Sequence, residues 1–349
     1  MGEPCRPVGA LFREAAGRFA SKPAVIFLGE RYRYAQLDAW SDALAGALAR
    51  RQVLAGDKVL LYAPHCPQWI VAWLALQKIG AVAVPVTHFY GPDDLRYIAN
   101  DCGAETAICM DTNFGHLDKV LRETRLRQVI VTGMVDLLPT WKRAVAHLLD
   151  RIPTGKVRAG PDVLSFRALL AEGAPPRPCD VGADALCEML YTGGTTGFPK
   201  GVPISHAALV ESSRAVRQGS LAAIPEGENV TLQGAPLYHI LGQVVGLGAL
   251  LRGETVILLP KIALDAVFDH VERHGARTIL GTPTLYRMML EHDRVDQYDL
   301  SGLRYCFCAG DALPPETDHR WRALTGQRLY QGYGATETCG GVTQCPAGV

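Results

Sequence analysis

Short runs of apolar residues alternate with longer amphipathic segments along most of this chain. Residues 59–62 are apolar enough for a buried strand, residues 67–79 have the length of a helix and begin with proline, and residues 81–84 are apolar again. This order is typical of parallel strands, because two parallel neighbours need a helical crossover between them. The sequence therefore predicts an α/β fold of mainly parallel sheets flanked by helices.

A second series of the same kind occupies the C-terminal part of the chain. The predicted strands there are 255–259, 277–280, 304–308 and 328–331, and the predicted helices are 264–274, 285–292 and 316–324. The chain has 349 residues, which exceeds the size at which single cores usually stop growing, so we expect more than one lobe. We predict one lobe of residues 63–200 and another of 1–62 with 201–349, with the boundary at the glycine-rich segment 192–201.

Charge and cysteine content narrow the class of protein. Lys+Arg and Asp+Glu both number 35 and the isoelectric point is about 7.1, so no basic field would attract a nucleic acid. Ten cysteines lie in apolar runs without a CxxC pair, as expected for reduced core cysteines of a cytosolic protein. We recognise no signal sequence and no membrane-spanning stretch, so a cytoplasmic location is expected.

Residues 137–152 predict an amphipathic helix with a basic side. The apolar positions are Leu137, Leu138, Trp141, Val145, Leu148, Leu149 and Ile152, and the basic ones are Lys142, Arg143, His147 and Arg151. Such a helix could lie on an anionic membrane surface, which would make the protein a peripheral membrane partner. The interpretation that we favour is the ordinary one, in which the apolar stripe packs against the sheet.

The segment 191–202, YTGGTTGFPKGV, carries the most specific chemistry. Glycines and threonines can surround oxygen atoms with backbone N–H groups and hydroxyls, while the lysine adds positive charge. The spacing differs from the Walker loop, in which the lysine follows a glycine and precedes Ser or Thr, and from the dinucleotide pattern GxGxxG. We interpret the segment as a phosphate-binding loop formed by Thr192, Gly193, Gly194, Thr195, Thr196, Gly197 and Lys200.

Together with three later segments, this loop resembles that of the adenylate-forming superfamily of acyl-CoA synthetases, amino-acid adenylation domains and luciferases. The superfamily's loop reads YT(S/G)GTTGxPKG, and glycine at position 193 is a variant familiar among fatty acyl ligases. The later segments are APLYHILG at 235–242, AGDALP at 309–314 and YQGYGATET at 330–338, which contains the family's YGxTE pattern. The resemblance covers nearly the whole chain and implies a large N-terminal AMP-binding domain over residues 1–349.

This resemblance implies a site for ATP and Mg²⁺. Glu337 and Thr196 would hold the magnesium ion, a hard cation that prefers oxygen ligands. Thr336 would hydrogen-bond the α-phosphate, Tyr333 would lie against the adenine, and the phosphate-binding loop would take the β- and γ-phosphates. The other implied nucleotide contacts are Gly310, Asp311, Ala312, Gln331, Gly332, Gly334 and Ala335, with the glycines at 332 and 334 leaving room for close backbone approach.

The reaction implied by the resemblance joins an acid to AMP and then to a thiol. A carboxylate attacks the α-phosphorus of ATP and expels pyrophosphate, and the thiol of CoA or of a carrier protein's phosphopantetheine then attacks the acyl-AMP. The residues implied in catalysis are Lys200, His239, Thr336 and Glu337. His239 would steer the carboxylate or gate the acyl pocket, because a carboxylate is already ionised at neutral pH and needs no general base.

The residues after His239 favour an uncharged acyl tail, since Ile240, Leu241 and Val244 offer no acidic partner for an amino-acid ammonium. A fatty acid is the expected small-molecule substrate. The implied pocket consists of His239, Gly242, Val245, Thr282, Ala309, Gly310 and Gly332. An aryl-acid ligase, an acyl-AMP ligase that loads a carrier protein, and a non-catalytic nucleotide- or acyl-binding module are the alternatives. The absence of a Walker lysine argues against an unrelated nucleotide hydrolase.

Family members continue well past the YGxTE pattern, whereas this sequence ends at Val349. The aspartate of the family's TGD motif, the interdomain hinge and the C-terminal lysine have no counterpart in it. We therefore expect a piece of a longer enzyme rather than a minimal homologue, without the C-terminal lid domain. The expectation is that such a piece binds nucleotide or acyl ligand but catalyses poorly. The sequence leaves the oligomeric state open.

Overall fold

A computed structural model describes residues 6–148, 152–173, 175–176, 179–193 and 197–348. These residues form two compact units. The N-terminal unit contains residues 6–13 and 36–206, and the C-terminal unit contains residues 14–35 and 207–348. The predicted lobes, 63–200 and 1–62 with 201–349, differ from these units mainly at the first boundary.

Each unit is built on one sheet, and the strands are numbered here along the chain. They are β1 Pro23–Phe27, β2 Glu30–Arg33, β3 Lys58–Tyr62, β4 Val82–Pro85, β5 Thr106–Met110, β6 Gln128–Thr132, β7 Val163–Ser165, β8 Leu186–Thr192, β9 Lys200–Ser205, β10 Val230–Gln233, β11 Thr255–Leu258, β12 Thr278–Gly281, β13 Tyr305–Ala309, β14 Leu329–Ala335 and β15 Gly340–Gln344.

Helices cover both sheets. In chain order they are Val8–Arg18, Tyr34–Arg50, Pro67–Ile79, Pro92–Cys102, Asp111–Val120, Thr140–Leu148, Phe166–Ala171, His206–Gln218, Ile240–Gly242, Gly248–Leu250, Leu264–His274, Pro283–Leu290 and Pro315–Thr325. A π-helical stretch, Gln243–Leu247, connects two of them, and single 3₁₀ turns occur at Leu121–Glu123, Val295–Gln297 and Thr336–Thr338. Among the described residues, no helix has both the length and the apolar character needed to cross a bilayer.

The N-terminal unit has a seven-stranded sheet in the order β7-β6-β5-β3-β4-β8-β9, in which only the β8–β9 pair is antiparallel. Its helix Pro67–Ile79 is buried along its whole length, which explains why this segment is apolar on every side. Proline at the first turn starts the helix, and Gly80, with φ at 71°, ends it in the left-handed region.

The C-terminal unit has an eight-stranded sheet in the order β15-β14-β13-β12-β10-β11-β1-β2, which is parallel except at its two edges. One face packs against the helices Leu264–His274, Pro283–Leu290 and Pro315–Thr325, around the buried rings of Tyr286 and Trp321. The two parallel sheets flanked by helices confirm the predicted fold class.

The prediction that the apolar stripe of the amphipathic helix packs against the sheet is wrong, because this stripe is exposed. The helix runs over Thr140–Leu148, and Trp141, Val145 and Leu148 lie 65%, 46% and 84% exposed on it. The apolar residues that are buried, Leu137 and Leu138, precede the helix. The spacing is helical as predicted, but amphipathicity alone cannot tell whether a stripe meets the core or another partner.

Candidate functional site

A cavity of about 420 Å³ lies where β13 and β14 end, within the C-terminal unit. Ligands of open α/β sheets bind at the carboxyl ends of the strands, so this position suits a binding site. Six predicted site residues line the cavity, namely His239, Ala309, Gly310, Gly332, Tyr333 and Gly334. Most of the remaining wall is apolar and comes from Val216, Ile240, Leu241, Val244, Phe307, Gly340 and Gly341.

His239 stands at the start of the helical segment that forms one wall. Its Nδ1 accepts a hydrogen bond from the backbone N–H of Leu241 at 3.3 Å, so the ring caps the turn that follows. Burial lowers the pKa of His239 below its ordinary value, because desolvation disfavours the imidazolium. A neutral ring at the mouth of an apolar cavity can orient a carboxylate through a single N–H donor.

The π-helical stretch after His239 widens the helix where it faces the cavity. Val244, within this stretch, contributes to the wall, while the side chain of Gln243 turns inward and donates to the carbonyl oxygen of Leu237 at 3.0 Å. Stretches of this kind occur frequently at functional sites, because the extra residue per turn redirects side chains.

Gly332 and Gly334 are required by packing inside the unit. A Cβ atom at Gly334 would lie 2.0 Å from the carbonyl oxygen of Gly340 on the neighbouring strand. A Cβ atom at Gly332 would lie 2.5 Å from the ring of Phe307. The sequence analysis explained these glycines by the room that a bound nucleotide needs. In the structure, each of them already has close neighbours within the fold.

The turn after β13 is held by its own backbone and by β14. Gly310 has φ at 93°, a conformation that favours glycine. The carboxylate of Asp311 accepts from the N–H of Ala312 at 2.7 Å, and the side-chain amide of Gln331 donates to the carbonyl of Asp311 at 3.3 Å. These four predicted nucleotide contacts therefore lie together at one edge of the sheet.

The end of β14 and the 3₁₀ turn after it present polar side chains to solvent. Tyr333 is 68% exposed, Glu337 is exposed and Thr336 is half-buried. Thr338 fixes the turn, since its hydroxyl accepts from the N–H of Ala335 at 3.1 Å and donates to the carbonyl of Gly340 at 2.9 Å. The carboxylate of Glu337 is thus carried on a rigid 3₁₀ turn with its oxygens accessible.

Three residues of the predicted acyl pocket lie elsewhere in the C-terminal unit. Gly242 packs so closely that a Cβ atom there would lie 2.0 Å from the carbonyl oxygen of Pro236. Val245 lines a second cavity behind the first. Thr282 caps the helix Pro283–Leu290 by accepting from the N–H of Leu285 at 3.4 Å.

Phe307 and Val216 are among the wall residues that the sequence analysis missed, and the reasons differ. Phe307 precedes Ala309 by two positions on β13 and so shares its face of the sheet, a signal that strand alternation offers. Val216 comes from the helix His206–Gln218, and nothing in its local sequence connects it with the cavity.

The predicted phosphate-binding loop belongs to the N-terminal unit, where it connects the antiparallel strands β8 and β9. Thr192 and Lys200 are paired across the two strands at the base of the loop, and Lys200 is exposed. Around Gly193 and Gly197, the described part of the chain leaves open space within 4 Å of a Cβ position. The predicted residues Gly194, Thr195 and Thr196 lie outside the described residues.

An aromatic pair lies beside this loop. The ring of Phe198 is 72% exposed and stacks on Tyr97, with ring centroids 4.8 Å apart. Tyr191, at the end of β8, donates its hydroxyl to the carboxylate of Asp101 at 2.5 Å. Both contacts attach the base of the loop to the helix Pro92–Cys102.

Comparison with known proteins gives a family match over almost the whole chain. The model of the AMP-binding enzyme family matches residues 12–348. A long-chain-fatty-acid–CoA ligase of Salmonella typhimurium is 31% identical over 340 residues, which are 94% of this chain and 60% of that protein. A feruloyl-CoA synthase of an Amycolatopsis species is also 31% identical, over 90% of this chain and 56% of that protein.

The fold is also that of a solved ligase. The anthranilate CoA ligase AuaEII, solved in complex with anthranoyl-AMP, superposes with a TM-score of 0.86 and 20% identity, over 99% of this chain and 63% of that one. At this identity the likeness concerns the fold alone. The chain spans about three fifths of the length of the curated relatives that it matches.

Proposed function

The chain belongs to the family of AMP-binding enzymes, and from this premise we propose that it takes part in activating a carboxylic acid with ATP. In the proposed reaction the acid's carboxylate attacks the α-phosphorus, the bond to pyrophosphate breaks, and acyl-AMP forms. A thiol then attacks the acyl carbonyl and AMP leaves. Positioning and electrostatics dominate such a reaction, because both reactants are anions.

One observation carries this proposal above the others. An apolar cavity opens at the carboxyl ends of β13 and β14 with His239, Gly310 and Tyr333 on its wall. The apolar side suits an acyl tail, and the glycine- and tyrosine-bearing side suits a flat base and its ribose. The same small volume thus offers surfaces for both partners that an acyl adenylate joins.

We assign the phosphates of ATP to the loop between β8 and β9. The exposed amine of Lys200 and the hydroxyl of Thr192, paired at the loop's base, support this assignment. A primary amine at the edge of a glycine-rich loop is suited to the β- and γ-phosphates, which depart as pyrophosphate. Thr336 is assigned to the α-phosphate.

Mg²⁺ is the metal that the residues fit. The described residues contain no group of three His, Cys, Asp or Glu side chains that could enclose an ion by themselves. Mg²⁺ commonly uses one or two carboxylates together with substrate phosphates, so the accessible carboxylate of Glu337 is sufficient. Bound there, the ion would neutralise phosphate charge.

We propose a fatty acid as the substrate and CoA as the thiol acceptor. The wall residues Ile240, Leu241 and Val244 favour an uncharged tail, and the similarity to a long-chain-fatty-acid–CoA ligase supports this class. The equal identity to a feruloyl-CoA synthase favours an aryl acid as the second candidate. Transfer to a carrier protein's phosphopantetheine is the alternative for the acceptor.

Isothermal calorimetry of the chain with non-hydrolysable acyl-AMP analogues tests this function. We expect an analogue that joins an acyl tail to AMP to bind at least about tenfold more tightly than AMP alone, because the tail adds apolar contact. Tighter binding of aryl than of alkyl analogues would select the second candidate. Equal binding of the analogues and AMP would contradict the acid-activating function and would favour a nucleotide-binding module.

We also propose that the exposed stripe of the helix Thr140–Leu148 contacts an anionic membrane surface. Trp141 lies under the amine of Lys142, with Val145 and Leu148 on the same side of the helix. Residues 137–158 contain five lysine and arginine residues and one acidic residue, and this positive charge complements anionic headgroups. Tryptophan with flanking lysine is the combination that prefers the interface.

Flotation of the chain with lipid vesicles tests the membrane contact. Vesicles of phosphatidylglycerol should retain the chain, vesicles of phosphatidylcholine alone should not, and Trp141→Ser with Leu148→Ser should abolish retention. Leu54→Ser is the matched control, since Leu54 is 58% exposed in a turn outside the stripe. A stripe that instead mediates self-association would appear as dimers lost in the Trp141→Ser variant, which would contradict the proposal.

A further inference from the structure

Behind the apolar cavity lies a second cavity whose wall is charged. The space between its lining atoms, including the part that is open to solvent, is about 350 Å³, and like the first cavity it belongs entirely to the C-terminal unit. The two cavities share Val216, Val244 and Phe307, so these three side chains form the partition between them. Beyond the partition the wall includes Arg217, Arg252, Glu254, Asn229, Thr231 and Thr278.

The charged groups of the second cavity are deeply buried. Glu254 is fully buried and Arg217 is 5% exposed, and the guanidinium Nε donates to the carboxylate Oε1 at 2.7 Å. Arg217 also donates to the hydroxyl of Ser220 at 2.7 Å and to the carbonyl of Ile224 at 2.9 Å. All three nitrogens of this guanidinium are therefore hydrogen-bonded within the fold.

Arg252 and Glu254 each keep one buried atom without a hydrogen bond in the described part of the chain. These atoms are Nε of Arg252 and Oε2 of Glu254. The nearest approach between the two groups, Nη2 to Oε2, is 3.8 Å, which is too long for a hydrogen bond. Arg252 does hydrogen-bond the hydroxyl of Ser213 through Nη1 at 2.7 Å, and Glu254 is paired with Arg217. One donor atom and one acceptor atom nevertheless remain without a hydrogen bond in the same wall, and buried polar atoms of this kind are costly.

An alkyl tail could not enter this space favourably. Methylene groups that pass Val216, Val244 and Phe307 would lie against Arg252 and Glu254 and would offer no hydrogen bond to either group. A hydroxyl group can do what a methyl group cannot, because it donates one hydrogen bond and accepts others. It would match both the free carboxylate oxygen and the free guanidinium nitrogen.

We propose that this charged cavity sets the substrate of the acid-activating site, limiting alkyl tails at the Val216–Val244–Phe307 partition and selecting acids whose tail carries a hydroxyl group at that depth. The inference rests on the proposed function, since it takes the apolar cavity to be the acyl pocket. It refines the fatty-acid assignment to acids with a short tail or a distal hydroxyl.

Calorimetry with two series of non-hydrolysable acyl-AMP analogues tests the inference on the unmodified chain. One series has plain alkyl tails of about four to about sixteen carbon atoms, and the other has the same tails with a terminal hydroxyl. Affinity in the alkyl series should rise about fourfold per methylene and then stop rising. At the length where it stops, the hydroxyl should improve binding by about tenfold.

Arg252→Met provides a second test, because it removes the free Nε and leaves the Arg217–Glu254 ion pair in place. The variant should lose the hydroxyl preference, while Arg214→Met, a change to an exposed arginine of the neighbouring surface, should retain it. If the Arg252 variant fails to fold, the two analogue series on the parent chain still decide the question.

Two outcomes would overturn the inference while leaving the proposed function intact. In the first, the alkyl series gains affinity steadily through its longest member. In the second, the hydroxyl weakens binding at every length, as it would if water held the second cavity permanently. Failure of every analogue to bind more tightly than AMP would instead contradict the proposed function itself.

Discussion

In the segment 330–341 the glycines lie against other atoms of the fold, whereas Gly193 and Gly197 of the phosphate-binding loop lie in open space among the described residues. Gly334 leaves room for a backbone carbonyl and Gly332 for a ring. Gly193 does not have a positive φ. The fold therefore requires the first set of glycines and leaves the second set free to serve a ligand.

Two glycine-rich motifs of one family can therefore need glycine for different reasons. In the C-terminal unit the glycines allow β14 and β15 to approach and shape the cavity wall. In the N-terminal unit they belong to the loop that we assign to the phosphates, whose oxygens accept hydrogen bonds from backbone N–H groups. Substitution by alanine separates the two cases, because it adds one methyl group and nothing else.

The largest effect on stability is expected from Gly334→Ala. The added methyl would have to lie 2.0 Å from the carbonyl oxygen of Gly340, and a strand backbone cannot yield as a side chain can. We expect a loss of about 3 kcal/mol in the free energy of unfolding, measured by urea denaturation. Gly197→Ala is the matched control, and an equal loss in both variants would remove the distinction between the two motifs.

The next largest effect is expected from acid pH, through a buried histidine of the N-terminal unit. Burial lowers the pKa of His206 in the N-terminal unit to about 4, and its Nδ1 accepts from the N–H of Val8 at 3.3 Å, which requires an unprotonated nitrogen there. At pH 7 the ring is neutral in both the folded and the unfolded chain. Below about pH 6.5 only the unfolded chain takes up the proton, so stability falls with pH.

The expected loss from this histidine is about 2 kcal/mol between pH 7 and pH 5, levelling off below about pH 4. His206→Asn should reduce the slope of this part of the pH profile, because asparagine has an acceptor oxygen and does not titrate in this range. The slope that remains should come from His65, whose pKa burial also lowers to about 4. His319→Asn, at an exposed position, should leave the profile unchanged. A profile that keeps its slope in the His206 variant would contradict the assignment.

Smaller effects on stability, but clear effects on binding, are expected at Lys200 and Glu337. Both side chains are exposed, so Lys200→Ala and Glu337→Ala should change the free energy of unfolding by less than about 0.5 kcal/mol. Lys200→Ala should weaken ATP binding about tenfold. Glu337→Ala should weaken it more, and only when Mg²⁺ is present.

The exposed residues Lys119 and Glu316 provide the controls for these two substitutions. Their alanine variants should bind Mg²⁺ and ATP as the parent does in the same calorimetric titration. If Glu337→Ala bound ATP as tightly as the parent with Mg²⁺, the proposed metal contact would be removed from the account.

Local signals in the sequence were sufficient to predict helices whose ends are set by residues of the same segment. The helices Pro67–Ile79 and Leu264–His274 match the predicted ranges because Gly80 and Gly275 terminate them in the left-handed region. The strand β14 was predicted to stop at residue 331 but continues to Ala335, since its glycines pair with β15. Pairing of that kind depends on a partner that glycine's low strand propensity does not reveal.

The candidate site could be predicted only where its residues belong to one motif. His239, Gly310 and Tyr333 line the cavity as their motifs led us to expect, whereas Val216 reaches it from a helix far away in sequence. The charged cavity around Arg217 and Glu254 depends on which segments pack together, so the sequence alone did not indicate either residue. The exposed stripe on Thr140–Leu148 was the less favoured of two interpretations, because periodicity does not identify the partner of a helix face.

The most direct test of the central claim compares two ligands on one variant, Gly193→Ala with Gly197→Ala. We predict that calorimetry will show ATP binding weakened at least about tenfold while binding of an acyl-AMP analogue, which lacks the β- and γ-phosphates, stays within about twofold of the parent. Unfolding of the variant should be unchanged within about 0.5 kcal/mol. Parent-like binding of ATP, or an equal loss for both ligands, would contradict the assignment of this loop to the phosphates.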